Sequence, residues 1–284
     1  VQSKLICVIL LGIVCWPAYP QDEETDRASD VRAQAAELYR LSGLEMQAKS
    51  VEPQFLEGLE RGSSSLSDET VSVMRDVVRK QFADGAVENR ARSIIVDRWN
   101  QEYGNRSLVW LHSDTGRRIT AYEEYASTQA AMAGFKVFSD ELEFNPPTEQ
   151  RAALVRRLND VYGGTDFAVD FTLALRLAVG VGLNAVSPAH EQLDLALLRK
   201  EVEGDREQLF AQIDQFLSIY NLYTYAELSD EEISGYIEFL ESEAGNWYVD
   251  TLLMAATEPI VDLGIEIGVG LKDALGNKGD DESL

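Results

Sequence analysis

His112, Ser113 and Asp114 are adjacent and carry the side-chain types of a hydrolytic triad: a base, a nucleophile and an orienting acid. The chemistry would be acyl transfer, with the imidazole taking the hydroxyl proton. Adjacency defeats it, because consecutive residues of a short helix point in different directions. No Gly-x-Ser-x-Gly elbow exists either. The other histidine, His190 in Ser187-Pro188-Ala189-His190-Glu191, reads as a solvated residue in the first turn of a helix. Two distant histidines make no zinc site unless carboxylates complete it. Gly279-Asp280-Asp281-Glu282 offers loose calcium ligands but has no EF-hand spacing. No catalytic constellation, metal site or cofactor is expected.

Glycines offer a different kind of chemistry, that of close approach. Gly180-Val181-Gly182-Leu183 recurs as Gly268-Val269-Gly270-Leu271, and Gly264 stands four residues before Gly268. Neither stretch has the strand context of a nucleotide loop. Glycine weakens a helix relative to alanine, so its repetition calls for a packing reason. Two readings stay open: helices packed closely inside the core, or an interface or groove for a partner or an apolar ligand. Asp262 and Glu266 argue against membrane insertion of Pro259 to Leu275.

The elements that must position these residues are helical. In residues 33–44, Ala35, Leu38, Leu41 and Leu44 recur at helical spacing before the stop signal Ser42-Gly43. Ser67 is placed to cap a helix with Val71, Met74, Val77, Val78 and Phe82 on one face, ended by Asp84-Gly85. Ser229 and Glu232 have capping-box spacing ahead of Ile233, Ile237 and Leu240. No segment shows a convincing strand alternation. The expected fold is all-α, with about a dozen short helices.

Charge narrows the partners. The 284 residues hold 25 Lys and Arg against 49 Asp and Glu, a net charge of −24, which argues against nucleic acid because phosphates attract cations. Residues 201–284 carry 20 acidic and 3 basic residues, whereas 75–118 carry 9 basic and 6 acidic. That asymmetry reads first as a solvated, repulsive surface that maintains solubility, the alternatives being a basic partner or head-to-tail association of copies.

Lys4 followed by the apolar run Leu5 to Trp16 reads as a secretory signal peptide over residues 1–20. The run falls short of the roughly 18 to 20 residues that span a bilayer, so no transmembrane segment is expected in the mature chain. Export implies a Gram-negative type periplasm. Bulky Val14 argues against lipoprotein anchoring through Cys15. Cys7 and Cys15 both lie in this segment, which leaves the mature chain without a disulfide.

Residues 21–30 read as an acidic linker and 277–284 as an acidic tail. Pro146-Pro147 divides the rest into units 31–145 and 146–276. The units look alike. Leu41-Ser42-Gly43 aligns with Tyr162-Gly163-Gly164, and Trp110 to Gly116 aligns with Phe239 to Gly245, which points to an internal duplication.

Glu227 to Ile233, followed by Tyr236 to Gly245, resembles the family called domain of unknown function 2059, whose members are mostly exported bacterial helical proteins. Phe239, Ser242 and Gly245 match its aromatic, serine and glycine positions, and Trp110, Ser113 and Gly116 form a weaker copy. Ala244 stands near a position where the family often has proline. The resemblance implies export and a helical fold, but no activity. Physically, the motif reads as a structural turn: Ser242 bonds back to a carbonyl, and Gly245 closes the helix in the left-handed conformation.

These features favour a non-catalytic interaction or scaffold module of the cell envelope, with an envelope protein or a second copy as partner. The alternative is a carrier of an apolar or lipid-like ligand. A carrier predicts a continuous apolar cavity near Phe167, Phe171, Leu175 or Val179. A scaffold predicts an exposed apolar surface around Ile260 to Leu271.

Overall fold

The computed structural model describes residues 21–62, 67–187 and 190–281, so the signal-peptide segment 1–20 lies outside the described residues. The fold is all-α, with thirteen α-helices and no strand among the described residues. The first half contains α1 (Gln21–Leu41), α2 (Leu44–Gly62), α3 (Asp68–Phe82) and α4 (Ala86–Asp97). It continues with α5 (Gln101–His112), α6 (Asp114–Ala126) and α7 (Gln129–Glu141). After Pro146-Pro147 come α8 (Glu149–Tyr162), α9 (Gly164–Val186) and α10 (Leu195–Gly204). The chain ends in α11 (Arg206–Thr224), α12 (Asp230–Leu240) and α13 (Glu243–Asp281).

Local signals place most helix starts. Ser67, Thr148 and Ser229 each accept a hydrogen bond from a first-turn amide, and Ser229 completes the capping box with Glu232. Gly43 and Gly163 adopt φ of 80° and 66°, whereas Gly164, which the sequence alignment set against Gly43, does not adopt a positive φ. Asp84 and Gly85, at φ 58° and 68°, break α3 from α4.

Three expectations are corrected. Residues 21–30 are the opening turns of α1 rather than a linker. Residues 277–281 continue α13 instead of forming a tail, and 282–284 lie outside the described residues. The helices are also not uniformly short: α9 has 23 residues and α13 has 39, running unbroken through Pro259.

The halves do not form separate bundles. One core gathers Leu38 of α1, Ile95 of α4, Leu111 of α5 and Ile119 of α6 with Leu158 of α8 and Ile237 of α12. A second joins Phe55 of α2 and Met74 of α3 to Ala178 of α9 and Ile267 of α13. Helices α9 and α13 are the spine, and the glycines explain their closeness. A Cβ on Gly264 would overlap Ala178, and one on Gly268 would press on Val181. Gly182 is buried against Leu59, Ile267 and Leu271. Gly270 faces Val77 of α3, and Gly180 meets nothing. The stripe is therefore internal packing, with Gly180 alone on a shallow surface groove.

Ile260, Leu263, Ile267 and Leu271 are buried, so the exposed apolar surface expected of a scaffold at 260–271 is absent; of its large hydrophobics only Val269 is exposed. Charge asymmetry is likewise used within the chain. Arg90 pairs with Glu266 at 2.6 Å, and Arg118 pairs with Glu232. No helix of the described residues is long and apolar enough to cross a membrane.

Candidate functional site

The two motif copies form twin joints that face each other. At the first, Ser113 Oγ donates to the Trp110 carbonyl at 2.6 Å and accepts from the Gly116 amide at 3.0 Å. At the second, Ser242 Oγ donates to the Phe239 carbonyl at 2.6 Å and accepts from the Gly245 amide at 3.1 Å. One hydroxyl thus ends one helix and starts the next. The glycines are not left-handed, which corrects the expectation for Gly245; they lie inside the following helix. Glycine is required because a Cβ would strike the Trp110 or Phe239 carbonyl. Trp110 stacks on Phe239 at 4.9 Å and 7°, and Trp99 meets Trp247 edge-on at 5.7 Å.

This geometry disposes of the triad residues. Ser113 is committed to capping, His112 faces Glu37 at 2.9 Å, and Asp114 pairs with Arg117. His190 sits in a turn before α10, not in its first turn, because Asp194 provides the cap. No group of three potential metal ligands occurs among the described residues. The side chains of Gly279 to Glu282 lie outside the described residues.

Beneath the twin joints lies a half-enclosed cavity of about 400 Å³. Five tyrosines from separate elements border it: Tyr162 closing α8, Tyr220 of α11, Tyr225 after α11, Tyr236 of α12 and Tyr248 of α13. Phe167 of α9, Leu217 of α11, Leu240 of α12 and Leu252 of α13 supply apolar wall. Arg151 fixes the turn carrying Tyr225: it donates to Asp230 at 2.7 Å and to the Tyr225 and Leu228 carbonyls.

Glu123 of α6 is the one carboxylate bordering this cavity among the described residues. Its helical spacing puts it on the same face as buried Gly116, Ile119 and Ala126. The Tyr225 hydroxyl donates to its Oε1 at 2.7 Å. Burial pushes the Glu123 carboxyl up to about 7; hydrogen bonds from Tyr225 and Tyr236 oppose this, and nearby Glu124 adds to it. Burial, then the negative charge of Glu123, drives the Tyr225 and Tyr236 phenols well above their usual value. No Lys, Arg or His among the described residues borders the cavity.

A second cleft, of about 430 Å³, shares Ser42, Gln47, Glu123 and Ser127 with the first. Its remaining wall is mostly polar, including Ser50, Gln54, Thr120 and Glu124. Glu123 therefore stands at the junction of an apolar and a polar compartment. Of the residues expected along a ligand groove, only Phe167 reaches the tyrosine-lined cavity, which is smaller than the open groove of about 510 Å³ beside Gly180. Phe171 borders a void of about 10 Å³, and Leu175 and Val179 border the separate surface groove beside Gly180. The side chains that do line the tyrosine-lined cavity went unnoticed because four helices and one turn contribute one tyrosine each. Glu123 did leave a trace: an acid inside an otherwise apolar helical stripe.

The chain matches no protein-family model, no curated protein and no solved structure. Its site must be read from its own geometry. That geometry is a carboxylate that accepts a hydrogen bond from a tyrosine hydroxyl at the edge of an aromatic-walled cavity.

Proposed function

We propose that the protein is a carrier of the cell envelope that holds a small molecule with an apolar body in the tyrosine-lined cavity. The observation that carries this reading is the cavity itself. At about 400 Å³ it falls within the range of roughly 300–1,000 Å³ typical of small-ligand sites. Its wall combines aromatic and aliphatic side chains with one oriented carboxylate, the mixture such sites use to combine affinity with orientation. Lys4 with the apolar run behind it supports export to a periplasm, as does the resemblance of Glu227 to Gly245 to an exported helical family. The equal bonding of the Ser113 and Ser242 joints supports an origin by internal duplication.

Native mass spectrometry of the protein purified from a periplasm tests the reading. A reproducible non-covalent adduct of a few hundred daltons, lost in Ala168→Trp, is the expected result, since that side chain would fill the cavity. A clean mass for both proteins, with no uptake of added apolar compounds, would overturn it.

An interaction module remains the second reading, on one observation. Phe135 of α7 packs edge-on against Phe216, Tyr220 and Tyr223 of α11, and Met132 and Phe216 beside it are exposed. Crosslinking from Met132→Cys to an envelope protein would favour it.

A further inference from the structure

The carrier reading leaves the ligand's chemistry open, and the charges around the cavity narrow it. Among the described residues, Glu123 is the only ionisable group other than tyrosine bordering the apolar compartment. It makes no ion pair with any of the described residues. A partly buried carboxylate in the wall of a half-enclosed, largely apolar cavity without a counter-charge is poorly solvated, and a bound cation relieves it. The adjoining polar compartment adds Glu124 and again contributes no base. Around both, the whole chain carries a net charge of −24. An anionic amphiphile such as a fatty acid would meet two carboxylates and no partner. A neutral one would leave Glu123 as it is.

We infer that the cavity selects an organic cation: a ligand whose apolar body lies among Phe167, Leu217, Leu240 and Leu252 and whose ammonium group pairs with Glu123. The inference rests on the carrier reading and adds the charge of the ligand to it. The compartments fit that division, because Glu123 sits where apolar wall gives way to the serines, glutamines and Glu124 of the second cleft. Tyr225 already holds one carboxylate oxygen, Oε1, in place. That fixes the orientation of the acceptor before the ligand arrives.

The titratable groups around Glu123 are Glu124 on its own helix, Tyr162 of α8, Tyr220 of α11, Tyr225 after α11, Tyr236 of α12 and Tyr248 of α13. The α2 and α9 walls contribute Gln47 and Phe167, which do not titrate. The buried phenols stay neutral between pH 5.5 and 8, because burial raises them all. Cation binding in that range therefore follows the carboxylate charge and strengthens as pH rises.

Isothermal titration with n-octylammonium, 1-octanol and octanoate separates the possibilities, using the purified protein and its Glu123→Gln variant at pH 8. The amine is expected to bind at least about tenfold more tightly than the alcohol, the scale of one charge-assisted hydrogen bond. Octanoate should bind more weakly than either. Glu123→Gln should erase the preference for the amine and leave the alcohol within about twofold. If the variant does not fold, the wild-type protein alone decides: amine affinity should fall between pH 8 and 5.5 while alcohol affinity holds. Equal affinities for all three in the wild type, or a preference that survives in Glu123→Gln, would overturn the cation but leave the carrier. Failure of all three to bind would overturn both.

Discussion

Replacing Glu123 by glutamine should make the protein more stable at pH 8 and hardly alter it near pH 5. In the folded chain the carboxyl is raised to about 7 by burial, against 4.5 when the chain is unfolded. Between those values the folded state binds more protons than the unfolded state, so stability falls as pH rises. The stabilising contribution is complete below 4.5 and is lost as pH passes 7. At about 1.4 kcal/mol per pH unit, the change from 4.5 to 7 corresponds to about 3 kcal/mol of destabilisation by the ionised carboxylate. Water entering the half-enclosed cavity lowers that figure, so it is an upper value. Glutamine keeps the shape and an oxygen to accept from Tyr225, yet carries no charge. Urea unfolding of both proteins at pH 5.0, 6.5 and 8.0 measures the difference. The curves should nearly coincide at the lowest pH and diverge by up to about 3 kcal/mol, in favour of the variant, at the highest. A constant offset across the three pH values would refute a titrating, desolvated Glu123.

Other outcomes follow from packing. Gly264→Ala should destabilise by about 1–3 kcal/mol despite alanine's better helix propensity, because its Cβ overlaps the Ala178 backbone. Gly180→Ala, with open space around it, should stabilise by up to about 1 kcal/mol, and a pair of chemical denaturation curves compares the two. Arg151→Met removes bonds to Asp230 and to two carbonyls of the turn holding Tyr225. A loss of about 2–4 kcal/mol, with weaker ligand uptake, is expected in calorimetry and titration. Trp110→Ala strips the stacked partner from both Tyr236 and Phe239. It should cost about 3 kcal/mol and flatten the near-ultraviolet circular dichroism.

What the sequence disclosed was mostly local. Caps at Ser67, Thr148 and Ser229 announce themselves through side chains that bond their own first turn, and Gly43 through a backbone that only glycine adopts cheaply. Longer reach defeated the reading of Pro259, which punctuates a sequence yet sits inside α13 once α9 packs along that helix. Gly116 and Gly245 were recognised as turn residues for the wrong reason: their constraint is a neighbouring carbonyl, invisible without the fold. The cavity is the extreme case. Tyr162, Tyr225, Tyr236 and Tyr248 belong to separate elements, and no spacing along the chain brings them together. Only Glu123, an acid between Ile119 and Ala126 on an apolar face, marked the site in one dimension.

The stacking of Trp110 on Phe239 and the passage of α13 past α3, α4 and α5 also govern how the chain reaches this state. Contacts so far apart in sequence form late, because their loops are costly to close. A nascent chain that has reached α7 possesses the apolar faces of its first seven helices but not the helix that covers them. The opening half must wait, exposed, for the closing segment, which makes it the natural client of whatever holdase accompanies the chain during synthesis. Completion of the last helix is then the event that seals both cores at once.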